Sequence, residues 1–461
     1  MRPSSEAASA AALHPQGGGR GLTIRHLWLL VPLAVVGYRA GAALSDNSFL
    51  WHVRAGTLQL DNGEVLRSDP FSFTATGEAW RTQSWLLDLV YGVFDQRIDA
   101  LAWVPWYVFV VGCGLFIFVG LTAYWATRDV MRTGIVMILV AWIGTIYFVP
   151  RPVLVSFLLL AALVAALRYP RRLAWAMVLL IWIWAAIHGS WVLGVGLIGL
   201  EALRRKSGRL LVTAAAAAAA SLATAHGIGT WEVTWKFFAN RGALEYLSEW
   251  RAPNFTWPLL WPYVLALLAI GYLALRRRLS WADAIVIVPF AVFGAMAARS
   301  VFPALLVLVP FAAQALRPRV TVPARPGSPI LNWGIAAAVL VLALAGVTRA
   351  PSINERVLPP AAARAALEPG VAFHGPGAGG AIIYTEWPDR LVYIDDRAEL
   401  FGAEMFAVTV GAIKGEGYVE LFERWGLEQA LVKADWALGA DLAAAGWTER
   451  YRDDNWVVLA R

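Results

Sequence analysis

Asp46 is the first carboxylate after an apolar opening run, within Ser45-Asp46-Asn47-Ser48-Phe49-Leu50-Trp51-His52. A carboxylate at a helix mouth can take a proton from a hydroxyl if a cavity brings the two together. The same placement, directly before a helical pattern, is what an N-cap requires, so position alone leaves the two roles evenly matched. His52, two turns further on, can exchange a proton near neutral pH, or it can simply pack at an interface. Asp69 adds a third candidate, although Asp before Pro70 more often forms a turn. Gln83 and Glu249 are polar residues suited to holding an acceptor or steadying such an acid.

Three very short connections between apolar runs each carry a cation or potential cation. They are Arg151 between Pro150 and Pro152, His188 before Gly189, and Arg299 between Ala298 and Ser300. Turns of this kind keep charge at or just inside a membrane surface, where it needs an anionic partner. A lipid phosphate is one such partner. Snorkelling to headgroups or pairing with loop carboxylates is the plainer alternative.

The elements that must position these groups are membrane-grade. The 461 residues are 59% hydrophobic and only 15% charged, too apolar for a soluble chain of this length. The mean hydropathy is +0.57. The 24 Trp residues suit headgroup depth as well as core packing. A net charge of +7 does not indicate nucleic acid here, because the arginines lie in short loops between apolar runs. A single cysteine, Cys113, rules out an internal disulfide framework.

Residues 1–26 read as a disordered cytoplasmic tail. Leu27 to Leu44 follows as a retained anchor, although Ala40-Gly41-Ala42 resembles a cleavage site. Arg39, near the outer end of that run, can snorkel. Further spans of about 15 to 26 residues are expected at Leu101–Ala126, Thr133–Val149, Val153–Leu167, Leu173–Ile187, Ser190–Leu203 and Leu210–Ala225. Four more are expected at Pro258–Leu275, Trp281–Ala297, Val301–Leu316 and Ile330–Val347, making about eleven. Basic residues occupy alternate connections: Arg128 and Arg132; Arg168, Arg171 and Arg172; Arg204 to Lys206 and Arg209; Arg276 to Arg278; Arg317, Arg319 and Arg325. Those connections are expected to be cytoplasmic, which turns Arg151, His188, the loop with His226, Glu232, Lys236, Glu245 and Glu249, and Arg299 outward. No Asp or Glu falls near the middle of a proposed span, which disfavours an ion-coupled transporter.

The first outer loop, 45–100, is expected to hold two short interfacial helices, Ser48–Leu60 and a second around Trp85–Phe94. Residues 351–461 read as a small α/β domain. Its expected strands are Val371–Phe373, Ala381–Tyr384, Leu391–Ile394, Ala430–Lys433 and Trp456–Leu459; its expected helices are Ala403–Ile413, Tyr418–Trp425 and Ala437–Ala444. Gly375 to Gly380 leads into a predicted strand and so reads as a turn, while Asp395-Asp396-Arg397 could bind a ligand but reads more simply as a charged strand end.

Asp46 to Leu87, with DNSFLWHVRAG, DPFSFT and a late SWL, resembles uncharacterised bacterial membrane proteins related to the GT-C glycosyltransferases. The resemblance continues in order through RPVLVSF, WAAIHGSWVLG, SEWRAPNF, ARSVFP and YIDDRAELFG. It implies an α-helical polytopic GT-C-like membrane domain over 27–348 with an extracytoplasmic α/β domain over 351–461. It also implies transfer of a sugar from a polyprenyl-phosphate-linked donor to an acceptor hydroxyl on the outer face of a bacterial inner membrane. Asp46 matches the catalytic acid by position; His52 and Asp69 stay catalytic candidates from their residue types alone. Arg151, His188 and Arg299 are then candidates for the donor phosphate, and Gln83 and Glu249 for the acceptor or for support. Expected partners are the lipid-linked donor, membrane lipid and an envelope glycan or lipid acceptor, not nucleic acid. Asp46-Asn47 replaces a paired acid, so no cofactor is indicated, although a divalent metal stays an open alternative; Thr82-Gln83-Ser84 replaces a His-Glu pair, and if that pair functions in relatives this chain is altered or inactive. Two other functions fit such a chain: a non-catalytic scaffold of envelope assembly, and an uncoupled flippase for lipid-linked saccharides.

Overall fold

The computed structural model describes residues 22–98, 101–239, 248–318 and 328–461. Most of the expected N-terminal tail, Glu245, Arg319 and Arg325 lie outside the described residues.

Helices occupy each of the apolar stretches. They are α1 (Ile24–Leu27) and α2 (Val31–Ala40) in the first run, then α5 (Val104–Thr127), α6 (Val130–Gly144), α7 (Pro152–Ala166), α8 (Ala174–Ala185), α9 (Trp191–Arg204) and α10 (Gly208–Ala220). After α11 (Gly229–Ala239) come α12 (Trp261–Leu275), α13 (Ala284–Met296), α14 (Val301–Ala312) and α15 (Pro329–Val347). Among the described residues, four helical stretches are long and apolar enough to cross a membrane: Val104–Thr127, Pro258–Leu275, Ala298–Leu316 and Pro329–Val347. The other apolar helices are shorter, so length alone does not reproduce the expected count of spans. Proline in the first turn of α2, α5, α7, α12 and α15 sets their starts, since its missing N–H has no partner there in any case.

α15 returns to α2. Small residues at Gly37, Gly41, Ala343 and Gly346 let the two backbones touch. This contact sets the start of the first loop beside the start of the C-terminal part, and Leu44 bridges Ile353. Loop and tail are thereby brought face to face.

The loop contains α3 (Asn47–Asn62) and α4 (Trp85–Asp95). α3 is not the half-exposed helix expected of an interfacial position. It is buried along nearly its whole length, between α4 and α17 (Pro376–Glu386). The crossing of α3 and α4 depends on Gly56 and Gly92, because a Cβ on Gly56 would stand 1.7 Å from the Asp88 carbonyl oxygen.

In the tail, after the short α16 (Ala361–Ala365), a four-stranded sheet runs in the order β1 (Phe373–His374), β2 (Gln429–Lys433), β4 (Trp456–Ala460), β3 (Thr448–Arg452). β1 and β2 are parallel, and the other pairings are antiparallel. α18 (Ala398–Ile413), α19 (Tyr418–Trp425) and α20 (Ala437–Ala444) complete it. Two expectations are overturned. Gly375–Gly380 and Ala381–Tyr384 are not a turn and a strand: Gly375 is the N-cap and the rest belongs to α17, whose small residues lie flat on α3. A continuously apolar run buried on several sides carries no period that separates helix from strand. Leu391–Ile394 forms only an isolated bridge, Val392 to Ser72 of the loop. β3 escaped notice because it is a polar, exposed edge. Trp51, Phe71 and Trp80 of the loop share one hydrophobic core with Ile382, Leu431 and Val458 of the tail.

Candidate functional site

Asp46 caps α3. Its backbone is extended and its Oδ1 accepts the Phe49 N–H at 2.9 Å, while Oδ2 pairs with Arg151 Nε. Arg151 is held by its neighbours: Pro152 opens α7, and the Tyr91 hydroxyl donates to the Pro150 carbonyl at 3.0 Å, with the Tyr107 hydroxyl 2.7 Å behind it. The same guanidinium reaches Glu249 at 3.2 Å and approaches Asp396 at 3.9 Å. Glu249 in turn pairs with Arg299 at 3.1 Å, and Arg299 lies over the Trp250 ring. Arg299 is fixed by its turn, where the Ala298 N–H donates to the Arg251 carbonyl. Asp46, Arg151, Glu249 and Arg299 thus alternate in sign along one line.

Burial raises the Asp46 carboxyl above the usual aspartate range, and Arg151 only partly offsets it. Burial also pushes Glu249 upward, but Arg299 and Arg151 outweigh it and the net shift is down. Arg151 loses hydration by burial, yet its three carboxylates hold it more firmly charged than a free arginine.

A second unit sits beside this line. His52 Nδ1 is 2.7 Å from Asp88 Oδ1, Asp88 is fully buried, and the Thr82 hydroxyl donates to its other oxygen. Nδ1 is therefore the ring nitrogen turned to Asp88, and Nε2 is the one turned away from it. Trp51 stacks on the His52 ring at 3.6 Å. His188 is different. Burial, then Arg299, His52 and Arg151, push it down to about 3, so it meets a ligand as a neutral donor or acceptor rather than as a cation. Its Nδ1 lies 2.7 Å from the Ser190 hydroxyl.

Arg151, Glu249, Arg299, His52, His188 and Gln83 all line one cavity of about 480 Å³. Asp46 stands behind Arg151 and is not among that cavity's walls; it borders a separate cavity with Arg39 and Arg349. A narrower apolar cavity of about 170 Å³ continues into the bundle between Phe157, Leu160, Trp184 and Phe293. The polar and apolar cavities share Arg299, His188, Gln83, Val153 and Trp250.

Asp69 is not brought to the site. It is buried and accepts from Arg397 at 2.7 Å, and Arg397 also pairs with Asp395 at 2.6 Å among Trp51, Phe71 and Trp80. This buried triad ties loop to tail. Between its members Asp396 turns the other way, into the polar cavity, where it accepts from Trp51 Nε1 at 2.9 Å and from Ser48. Glu399 joins the same wall; burial raises its carboxyl, although Trp80 Nε1 donates to it at 3.2 Å. Asp88, Asp396 and Glu399 were not singled out as site residues from sequence. The available signal for Asp396 is the Asp395-Asp396-Arg397 run, which follows no named strand in the structure. Among the described residues, no group of three His, Cys, Asp or Glu side chains is placed to hold a metal. Asp46, Asp396 and Glu249 face Arg151 instead, so the chain itself supplies the positive charge there.

No protein-family profile and no curated protein matches the sequence. Among solved structures, ArnT from Cupriavidus metallidurans bound to undecaprenyl phosphate is similar over 94% of this chain and 97% of its own, with a TM-score of 0.51 and 15% identity. The two chains share one overall fold. At that identity the likeness concerns architecture, and it extends through both bundle and tail.

Proposed function

We propose that the chain is a membrane glycosyltransferase that moves a sugar from a polyprenyl-phosphate-linked donor to an acceptor hydroxyl. The observation that carries this reading is the junction of two cavities. Arg299 and His188 stand on the wall common to a polar chamber and an apolar one, which suits an anionic headgroup with a hydrocarbon tail. The undecaprenyl phosphate held by ArnT, which has the same fold, supports this class of lipid. The alternation of basic loops supports an outward-facing site in a bacterial inner membrane, with the N-terminus inside and the tail outside.

In the transfer, the acceptor oxygen bonds to the anomeric carbon of the sugar. The bond from that carbon to the phosphate oxygen breaks, and its electron pair leaves on the lipid phosphate. The acceptor's proton passes to a base. Arg151 and Arg299 offset the charge that collects on the departing phosphate. Asp46 is assigned as the base. A donor phosphate that draws Arg151 toward itself uncovers Asp46 Oδ2, so donor binding frees the base.

A second reading makes His52 the base. It is favoured because His52 lines the polar chamber and is oriented by Asp88. The two are separated by following labelled sugar from a synthetic polyprenyl-phosphate donor. The first reading expects Asp46→Asn to lose transfer by about a hundredfold or more and His52→Gln to lose less. Full activity in Asp46→Asn together with loss in His52→Gln moves the role to His52; no donor-dependent transfer by the unmodified chain sinks both.

A further inference from the structure

The helices that start at the candidate site end at a second polar chamber. α7 begins beside Arg151 and α14 just after Arg299, and both finish at a cavity of about 430 Å³ at the other end of the bundle. The ends of α5 and α9 and the start of α13 complete its walls. Five arginines line it: Arg128, Arg168, Arg204, Arg205 and Arg317. Among the described residues, two carboxylates face them, Glu201 and Asp283.

These charges fall into two groups. Glu201 is buried and takes Arg204 at 2.8 Å as well as Arg205, while Asp283 takes Arg204 at 2.8 Å. Arg205 also donates to the Leu167 carbonyl at the end of α7. Those two arginines are therefore satisfied within the protein. Arg128, Arg168 and Arg317 have no acidic partner among the described residues, and they border the same concavity from three different helix ends. Membrane orientation alone asks for arginines on this side, but it does not ask for them around one chamber. Guanidinium groups converging from separate elements match the several oxygens of a phosphate group, each oxygen able to accept two N–H donors.

We propose that this chamber binds a phosphate-bearing anion, with Arg128, Arg168 and Arg317 as its ligands and the Glu201–Arg204–Asp283 network as its fixed floor. The site does not depend on the transfer reaction proposed above. Its ligand could be a phospholipid headgroup or a soluble phosphate compound, and the experiment separates them.

The full chain is placed in nanodiscs of phosphatidylcholine with or without phosphatidylglycerol, and retained phosphatidylglycerol is counted by native mass spectrometry. In a second arm, pyrophosphate is titrated against the chain in phosphatidylcholine nanodiscs and thermal unfolding is followed. The triple change Arg128→Gln, Arg168→Gln, Arg317→Gln is compared with Arg209→Gln, Arg276→Gln, Arg278→Gln, which removes equal charge outside the chamber. Retention in the first arm alone identifies a lipid headgroup; stabilisation in the second identifies a soluble phosphate. In either case the chamber variant should lose about tenfold in apparent affinity, with the control within about twofold of the unmodified chain. Single changes at Arg168 and Arg317 repeat the reading should the triple variant unfold. The proposal is overturned if neither arm responds, or if the control loses as much as the chamber variants.

Discussion

Asn47 shows why a second acid is missing beside Asp46. Its Nδ2 donates to the Pro376 carbonyl at 2.9 Å, and its Oδ1 accepts the Gly380 N–H at 2.6 Å. A carboxylate can do only the second of these. Asn47→Asp should therefore destabilise the chain by about 1–3 kcal/mol, seen as a lower thermal midpoint in detergent, by setting a charge against a carbonyl. An unchanged midpoint would remove this account. Asp46 permits a cleaner separation of roles, since Asn caps a helix about as well as Asp. Asp46→Asn should keep its midpoint close to that of the unmodified chain while losing transfer; Asp46→Ala should lose both, with the missing cap contributing about 1 kcal/mol. Asp46 was visible in the sequence because capping and acid chemistry use the same residue type. The task of Asn47 was not, because its partners lie on α17.

Among the elements, α3 carries the most. Asp46 at its cap, Asn47 and Ser48 in its first turn, and Trp51 and His52 one turn on all meet other parts of the chain through this one helix. Its position depends on the crossing with α4 at Gly56 and Gly92. Gly56→Ala puts a methyl group into the Asp88 backbone, so the helices must separate and Asp88 must withdraw from His52. The expected result is a destabilisation of about 1–3 kcal/mol or more, read by thermal unfolding, since overpacking against backbone has no flexible neighbour to give way. A midpoint equal to that of the unmodified chain would show that the crossing tolerates a side chain. The sequence made α3 legible as a helix through its apolar spacing. It did not tell that the helix is enclosed, because its polar face is covered by tail residues more than three hundred positions away.

Across the whole molecule, tail and loop form one body around the shared core and the Asp69–Arg397–Asp395 triad. Residues 351–461 expressed alone would expose the faces that cover Trp51, Phe71 and Trp80, and should be rapidly cleaved by protease; a well-dispersed amide spectrum from that fragment would argue against a shared core. The assembled tail should also be acid-sensitive. His374 is buried, with Nδ1 donating to the Gly375 carbonyl and Nε2 accepting the Tyr393 N–H at 3.0 Å, and burial pushes it down to about 4. Its folded value lies below its unfolded value, so its contribution is fully present above about pH 6.5 and is lost as pH falls toward 4, at about 1.4 kcal/mol per pH unit. The thermal midpoint of the unmodified chain should fall over that window, and His374→Asn should flatten the profile; a level profile in the unmodified chain would refute it. By itself the sequence determined the membrane class, the helical stretches, the alternation of basic loops and the cations held in short turns, because composition, apolar length and proline placement act locally. Only the tertiary structure decided which of those groups meet. Asp396 reaches Asn47 across 349 positions, and Asp69 lies in the same loop as Asp46 yet points into a different core. Convergence of side chains is a property of long-range packing, and no local spacing records it.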